Sequence, residues 1–190
     1  LATSTISLFI FTLFISVNSN SDENNIKQYS GDEGILSLMY HRFNESKYPS
    51  TNIGMDVFKS QIDMIKGSGY SFNDPNSFEK NYIVPKKNKE ILLTIDDAFQ
   101  SFYTEAWPYL KKNKIPFILF VSTEPVGKRG YMTWGQIKEI ESETFALIGH
   151  HSHSHGYLID ESNDLFVQDI KMANKIFFKE LGYIPSLFSY

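Results

Sequence analysis

The chain has no cysteine, so neither a disulfide nor a thiolate metal site is open to it, and any metal it binds must be held by histidine and carboxylate. Nor does charge of one sign dominate. Eighteen lysines and arginines stand against 22 aspartates and glutamates, a net charge of −4, which makes no electrostatic case for nucleic acid or an anionic membrane surface as partner. Long apolar runs are also missing. The longest near the start, Ile6–Val17 ("ISLFIFTLFISV"), falls short of the roughly 20 residues that a bilayer-spanning helix needs.

That run gives way abruptly to the polar "NSNSDENN" at 18–25, the pattern of a secretory signal peptide with a small-residue cleavage site near Val17-Asn18-Ser19. It opens on Leu1 without methionine or a basic segment, so the reading is a signal peptide over 1–19 that is truncated at its start. A flexible mature terminus is expected over 20–34, then one domain over 35–190. Export follows, to the periplasm, cell surface or exterior, with an uncleaved leader as the one route to a membrane. What the chain does have, 42% hydrophobic residues in 190, suits one globular domain with a sizeable core. Nothing in the sequence bears on oligomeric state.

Along that domain, apolar strand-like runs alternate with helical patterns. Ile35–Phe43 ("ILSLMYHRF") reads as a strand ending in a histidine, and Val57, Phe58, Ile62 and Ile65 recur at helical spacing before the stop signals Gly67 and Gly69. A basic turn, "KKNK" at 86–89, precedes the strand Ile91–Ile95. "SFYTEAWPYLKKNKIP" predicts one helix, Phe117–Val121 a second buried strand, "TWGQIKEIE" a short helix, and Phe145–Gly149 a third strand. A long amphipathic helix from Asp164 stops at Gly182 and leads into "IPSLFSY", read as a fourth strand. This alternation predicts an α/β fold with a mainly parallel sheet, open or closed into a barrel.

Active sites of such folds gather beyond the carboxyl ends of the strands. His41, the pair Asp96-Asp97, and a cluster holding four of the five histidines (His150, His151, His153, His155) all stand at expected strand ends. Side chains alternate along a strand, so adjacent carboxylates point apart and cannot flank a glycosidic bond as an acid/nucleophile pair. They can divide labour, one on a cation and one on a bound water, and the repulsion between them itself calls for a cation. His151 and His155, spaced i,i+4, reach one point on a helical turn or tight loop. Two imidazoles and one carboxylate leave an open position for water, as in catalytic zinc sites. A solvated histidine-rich loop and a pH switch are the competing readings, and for His150 and His153, which have no evident partner, the plain polar-loop reading is the better one.

"LLTIDDAF" (Leu92–Phe99) followed by "HSHSH" (His151–His155) resembles the polysaccharide deacetylases, the NodB-homology or carbohydrate esterase family 4 domain, whose motifs read T-F-D-D-G and H-[S/T]-x-x-H. "LMYHRF" near the start and "FSY" at 188–190 more narrowly resemble the exported branch acting on poly-β-1,6-N-acetylglucosamine. The resemblance implies a (β/α) barrel-like NodB-homology domain, distorted and here incomplete at its C-terminus. It implies metal-dependent release of acetate from an N-acetylglucosamine polysaccharide, with zinc or a similar divalent ion. By it Asp96 is the general base, Asp97, His151 and His155 are the metal ligands, and His41 is the acid. The alternatives are a peptidoglycan or chitin-type deacetylase, another metal-dependent amide hydrolase on the same fold, or a carbohydrate-binding protein that has lost its chemistry; the presence of Asp96 weighs against the last. Two residues depart from the pattern. Ala98 replaces the glycine of the first motif, a small change at negative φ and a damaging one at positive φ, and Ser189 stands where many members have arginine.

Overall fold

The computed structural model describes residues 35–77, 89–157 and 160–190. The signal peptide and flexible terminus expected at 1–19 and 20–34, and most of the basic turn at 86–89, lie outside the described residues. The elements are β1 (Ile35–Tyr40), β2 (Arg42–Phe43), β3 (Asn52–Ile53), α1 (Met55–Gly67), β4 (Ser71–Phe72), β5 (Glu90–Asp96), α2 (Trp107–Asn113), β6 (Phe117–Val121), α3 (Trp134–Glu141), β7 (Ala146–His150) and α4 (Asn163–Leu181). The sheet runs β1-β5-β6-β7 with every pairing parallel, and β4 joins the first residues of β5. No helix among the described residues is long and apolar enough to cross a membrane.

β5 and β6 are buried along their whole length, the mark of a parallel sheet covered on both faces. Alternation sorts their side chains. Leu93, Ile95, Phe117, Leu119, Val121, Ala146 and Ile148 join the main core, with Phe58, Ile62, Trp107, Leu110, Ile137 and Phe177 from the helices. Leu92, Ile118 and Phe120 form a separate cluster on the other face, with Ile35, Leu147 and Leu187. Helices outside and a second apolar lining inside make a barrel-like α/β fold, as expected.

Three local departures have physical causes. The expected strand Ile35–Phe43 breaks at His41, so that only Ile35–Tyr40 pairs with β5. The helix expected from Ser101 opens with a wide π-type turn at Phe102–Ala106, which closes through the Trp107 N–H to the Phe102 carbonyl before α2 begins. Pro108 explains it: without an N–H it cannot form the regular i→i−4 bond. The last run, "IPSLFSY", makes a single parallel bridge, His150 with Phe188, where a full strand was expected.

Candidate active site

The inner face of the sheet collects the polar residues, and its register explains which ones. Tyr40 pairs with Ile95, which sets His41 abreast of Asp96; on β5, Asp96 follows Leu92 and Thr94 on the inner side. On β7, Leu147 is inward and Ile148 outward, so His150 falls outward and the next residue, His151, inward. One residue of parity separates the two neighbouring histidines.

His150 is accordingly a packing residue. Its ring lies between Phe177 and Phe188, at centroid distances of 5.0 and 5.2 Å. Its Nδ1 accepts from the Ser152 N–H at 3.0 Å, which leaves Nε2 protonated and donating to Asn174 Oδ1 at 3.2 Å. Burial holds its pKa below the usual histidine value. His153 is also engaged, its Nδ1 2.8 Å from Thr123 Oγ1. Neither joins the ligand cluster, but the polar-loop reading fails for His150, which ends β7 and is buried, and each has a partner that sequence did not disclose.

Asp97, His151 and His155 converge. Each offers a donor atom, and the three lie within 4.8 Å of one another. His151 Nε2 stands 3.4 Å from Asp97 Oδ1, and His155 Nε2 stands 2.9 Å from the same oxygen. The strand does not simply run on into Asp97: with φ of 72° its backbone turns left-handed and swings the carboxylate toward the histidines, while Asp96 keeps its inward strand position. The two histidines meet across a tight loop, with left-handed residues at Ser152 and His155, φ 67° and 57°.

The donor chemistry fits a divalent cation. His151 Nδ1 lies 2.8 Å from the Ser189 backbone carbonyl and must carry the proton to make that bond. Its Nε2 is then a bare lone pair facing a carboxylate oxygen. Two acceptors at 3.4 Å repel unless a cation or a proton lies between them. Ligands about 2.0–2.1 Å from one tetrahedral ion stand about 3.4 Å apart, the spacing of His151 Nε2 and Asp97 Oδ1, while His155 Nε2 stands at hydrogen-bonding distance from the same oxygen. Burial raises the Asp97 carboxyl, but the two imidazoles beside it, His151 and His155, outweigh that and hold it well below the usual carboxylate range. His155, bonded to Asp97, is shifted up.

Asp96 sits beside this cluster. Burial pushes its carboxyl up, opposed by the charges of His151 and His41. Ser189 Oγ donates to Oδ2 at 3.4 Å, while Oδ1 is buried and has no hydrogen-bond partner among the described residues. A cleft of ≈ 370 Å³ opens in front of Asp97 and His155, walled by Phe99 and Tyr131 and rimmed by Glu124 and Lys128. The Arg42 guanidinium stacks 3.4 Å over Phe99. All five residues singled out by sequence therefore lie at one end of the sheet. Sequence reasoning missed Ser189 as a site residue, and it missed Asn174 and Asp169, whose one signal is a polar residue on the inward stripe of an amphipathic helix.

Comparison with known proteins agrees with this fold. The family model for polysaccharide deacetylase matches residues 83–190, leaving β1 and His41 before the matched region. Poly-β-1,6-N-acetyl-D-glucosamine N-deacetylase of Staphylococcus aureus is 23% identical over an alignment of 188 positions, 83% of this chain and 64% of that protein. The chain thus spans less than two thirds of the length of the curated relatives it matches. Among solved structures, IcaB from Ammonifex degensii superposes with a TM-score of 0.73 at 28% identity, covering 83% of this chain and 74% of that one. The Streptococcus pyogenes deacetylase PplD, solved with acetate, gives 0.70 at 26%, covering 82% and 73%. Given the matched majority of the chain and the shared fold, it belongs to the polysaccharide deacetylase family.

Proposed function

We propose that this domain, 35–190, removes acetyl groups from an exported polysaccharide containing N-acetylglucosamine, using a divalent ion, zinc first, held by Asp97, His151 and His155. The observation that carries the reading is the pairing of two acceptors, His151 Nε2 and Asp97 Oδ1, next to an unpaired buried oxygen of Asp96. The Staphylococcus aureus relative named for poly-β-1,6-N-acetylglucosamine and the acetate held by PplD support the choice of an acetylated glucosamine polymer. The signal-like segment at 1–19 supports export.

An ion at this site supplies Lewis acidity to the acetamide carbonyl and to a water. The chain's own groups do the rest. Asp96 Oδ1, raised by burial and with Oδ2 engaged by Ser189, takes the proton from the water that attacks the carbonyl carbon. His41, abreast of Asp96 at the end of β1, gives a proton to the glucosamine nitrogen as the C–N bond breaks, and acetate leaves. Tyr131, packed on the buried Phe99 with ring centroids 4.9 Å apart, offers an aromatic surface to the sugar in the cleft. The test is acetate release from β-1,6- and β-1,4-linked N-acetylglucosamine oligomers, with and without chelator. The expected result is loss of activity on chelation and a fall of about 10²-fold or more in kcat for Asp96→Asn. Activity that survives metal removal overturns the reading, and the preferred oligomer identifies the linkage.

A further inference from the structure

We infer that Asp169, on α4 and outside the ligand set, is a positioning residue for the metal centre: its carboxylate clamps the loop between His151 and His155 and so fixes where His155 stands. The inference rests on the metal centre proposed above.

His155 is the least supported of the three ligands. Its side chain is 53% exposed, and its own backbone and that of Ser152 lie in the left-handed region. Such a conformation is strained for an L-residue and persists only where neighbours impose it. Neutral contacts hold one side of the loop: Ser122 Oγ donates to the His151 carbonyl at 2.7 Å, Thr123 N–H to the Ser152 carbonyl at 3.2 Å and Glu124 N–H to the His153 carbonyl at 3.0 Å. Thr123 Oγ1 lies 2.8 Å from His153 Nδ1, and Ser152 Oγ accepts from His155 N–H at 3.1 Å. The charged contact comes from α4. Asp169 Oδ1 accepts from His153 N–H at 2.7 Å, and Oδ2 accepts from Ser154 N–H at 2.9 Å.

Two successive backbone donors on the two oxygens of one carboxylate form a bidentate, charge-assisted pair, stronger and more directional than a neutral bond. Burial raises the Asp169 carboxyl, but the bonds from Ser154 and His153 more than offset it, leaving it below its ordinary value. The helix behind it is well anchored: Ala173 and Phe177, on the same stripe, are fully buried in the main core. Asp169 therefore ties the His153–Ser154 backbone to α4, on the side of the loop that residues 122–124 do not hold. Groups behind metal ligands commonly carry a factor of 10–100 in metal affinity.

The test compares wild type, Asp169→Asn and Asp169→Ala, with Gln168→Ala as an exposed neighbour on the same helix. Zn2+ affinity is measured by competition with a chromophoric chelator, and Tm is measured in chelator and in saturating Zn2+. Asp169→Asn keeps the shape but turns an NH2 toward one of the two N–H groups. The expected result is a Kd weakened about tenfold or more, with a smaller zinc-induced rise in Tm, while Gln168→Ala behaves as wild type. Wild-type affinity in both Asp169 variants overturns the inference. So does an equal Tm loss with and without Zn2+, or failure of both variants to fold, since either makes Asp169 a general fold residue. Absence of Zn2+ binding by the wild type, or affinity unchanged in Asp97→Asn, removes the metal centre itself and this inference with it.

Discussion

Ala98 departs from the first motif at the least convenient place. Its φ is 54° and it follows Asp97 at 72°, so two left-handed residues stand in succession where the chain leaves β5. The turn that delivers Asp97 needs this geometry, and an alanine there carries a strain that glycine does not. Against that, Ala98 is fully buried, and losing its methyl forfeits about 0.8 kcal/mol. Relief of about 1–2 kcal/mol of backbone strain is the larger quantity. Ala98→Gly is therefore expected to raise stability by up to about 1 kcal/mol, read as a Tm increase of about 2–4 °C. A lower Tm means that the methyl's packing outweighs the strain. At this scale the pattern of strand ends sufficed to place Asp96, Asp97, His41, His151 and His155 at one end of the sheet, where the structure also has them. It disclosed neither the sign of φ at 97 and 98 nor the distant partners of His150, Asn174, Phe177 and Phe188, which lie 24 and more positions away.

Beneath the site, on the inner face of the sheet, the Phe120 ring of β6 lies over its partner Gly149 of β7. A Cβ on Gly149 would clash with that ring and come 3.1 Å from Ile118 Cγ2, so the ring keeps its place only with glycine there. Gly149→Ala should cost about 1–3 kcal/mol in urea denaturation, and because His151 is two residues on, Zn2+ affinity should weaken with it. Unchanged denaturation shows that the Phe120 ring swings aside freely. On the helical side, Asn174→Ala removes the acceptor for the buried His150 Nε2–H and is expected to cost about 1–3 kcal/mol in the same assay. An unaltered midpoint shows that the imidazole finds another partner. β5 and β6 were legible as compact, continuous apolar runs and the long helix by its amphipathic period. The π-type turn before Trp107 was not, because apolar spacing does not distinguish a widened turn from a regular one. The reading of 184–190 as a strand took apolar content for pairing, and just one bridge formed.

For the molecule as a whole, the order β1-β5-β6-β7 brings together residues 41, 96, 97, 151 and 155 from separate stretches of chain. Alternation of strands and helices predicted a parallel sheet, and parallel sheets put strand ends on one side, so convergence was legible before any distance was. Which residues touch was not, because register and loop conformation are set by tertiary packing. If one ion ties these distant stretches together, it stabilises the folded state by linkage: Zn2+ at 100 times Kd contributes about 2.7 kcal/mol. The expected readout is a Tm rise of about 5–10 °C on adding Zn2+, reversed by chelator and absent in Asp97→Asn. An equal rise in Asp97→Asn places the ion elsewhere.

Ser189 touches the site twice by different means. Its hydroxyl reaches Asp96, and its main-chain oxygen receives the proton of His151. A side-chain exchange can cut the first link and never the second, since every residue type brings the same oxygen. Scanning this position by alanine therefore silences the base's anchor while the imidazole keeps its tautomer, which makes one codon a means of separating proton abstraction from ion capture.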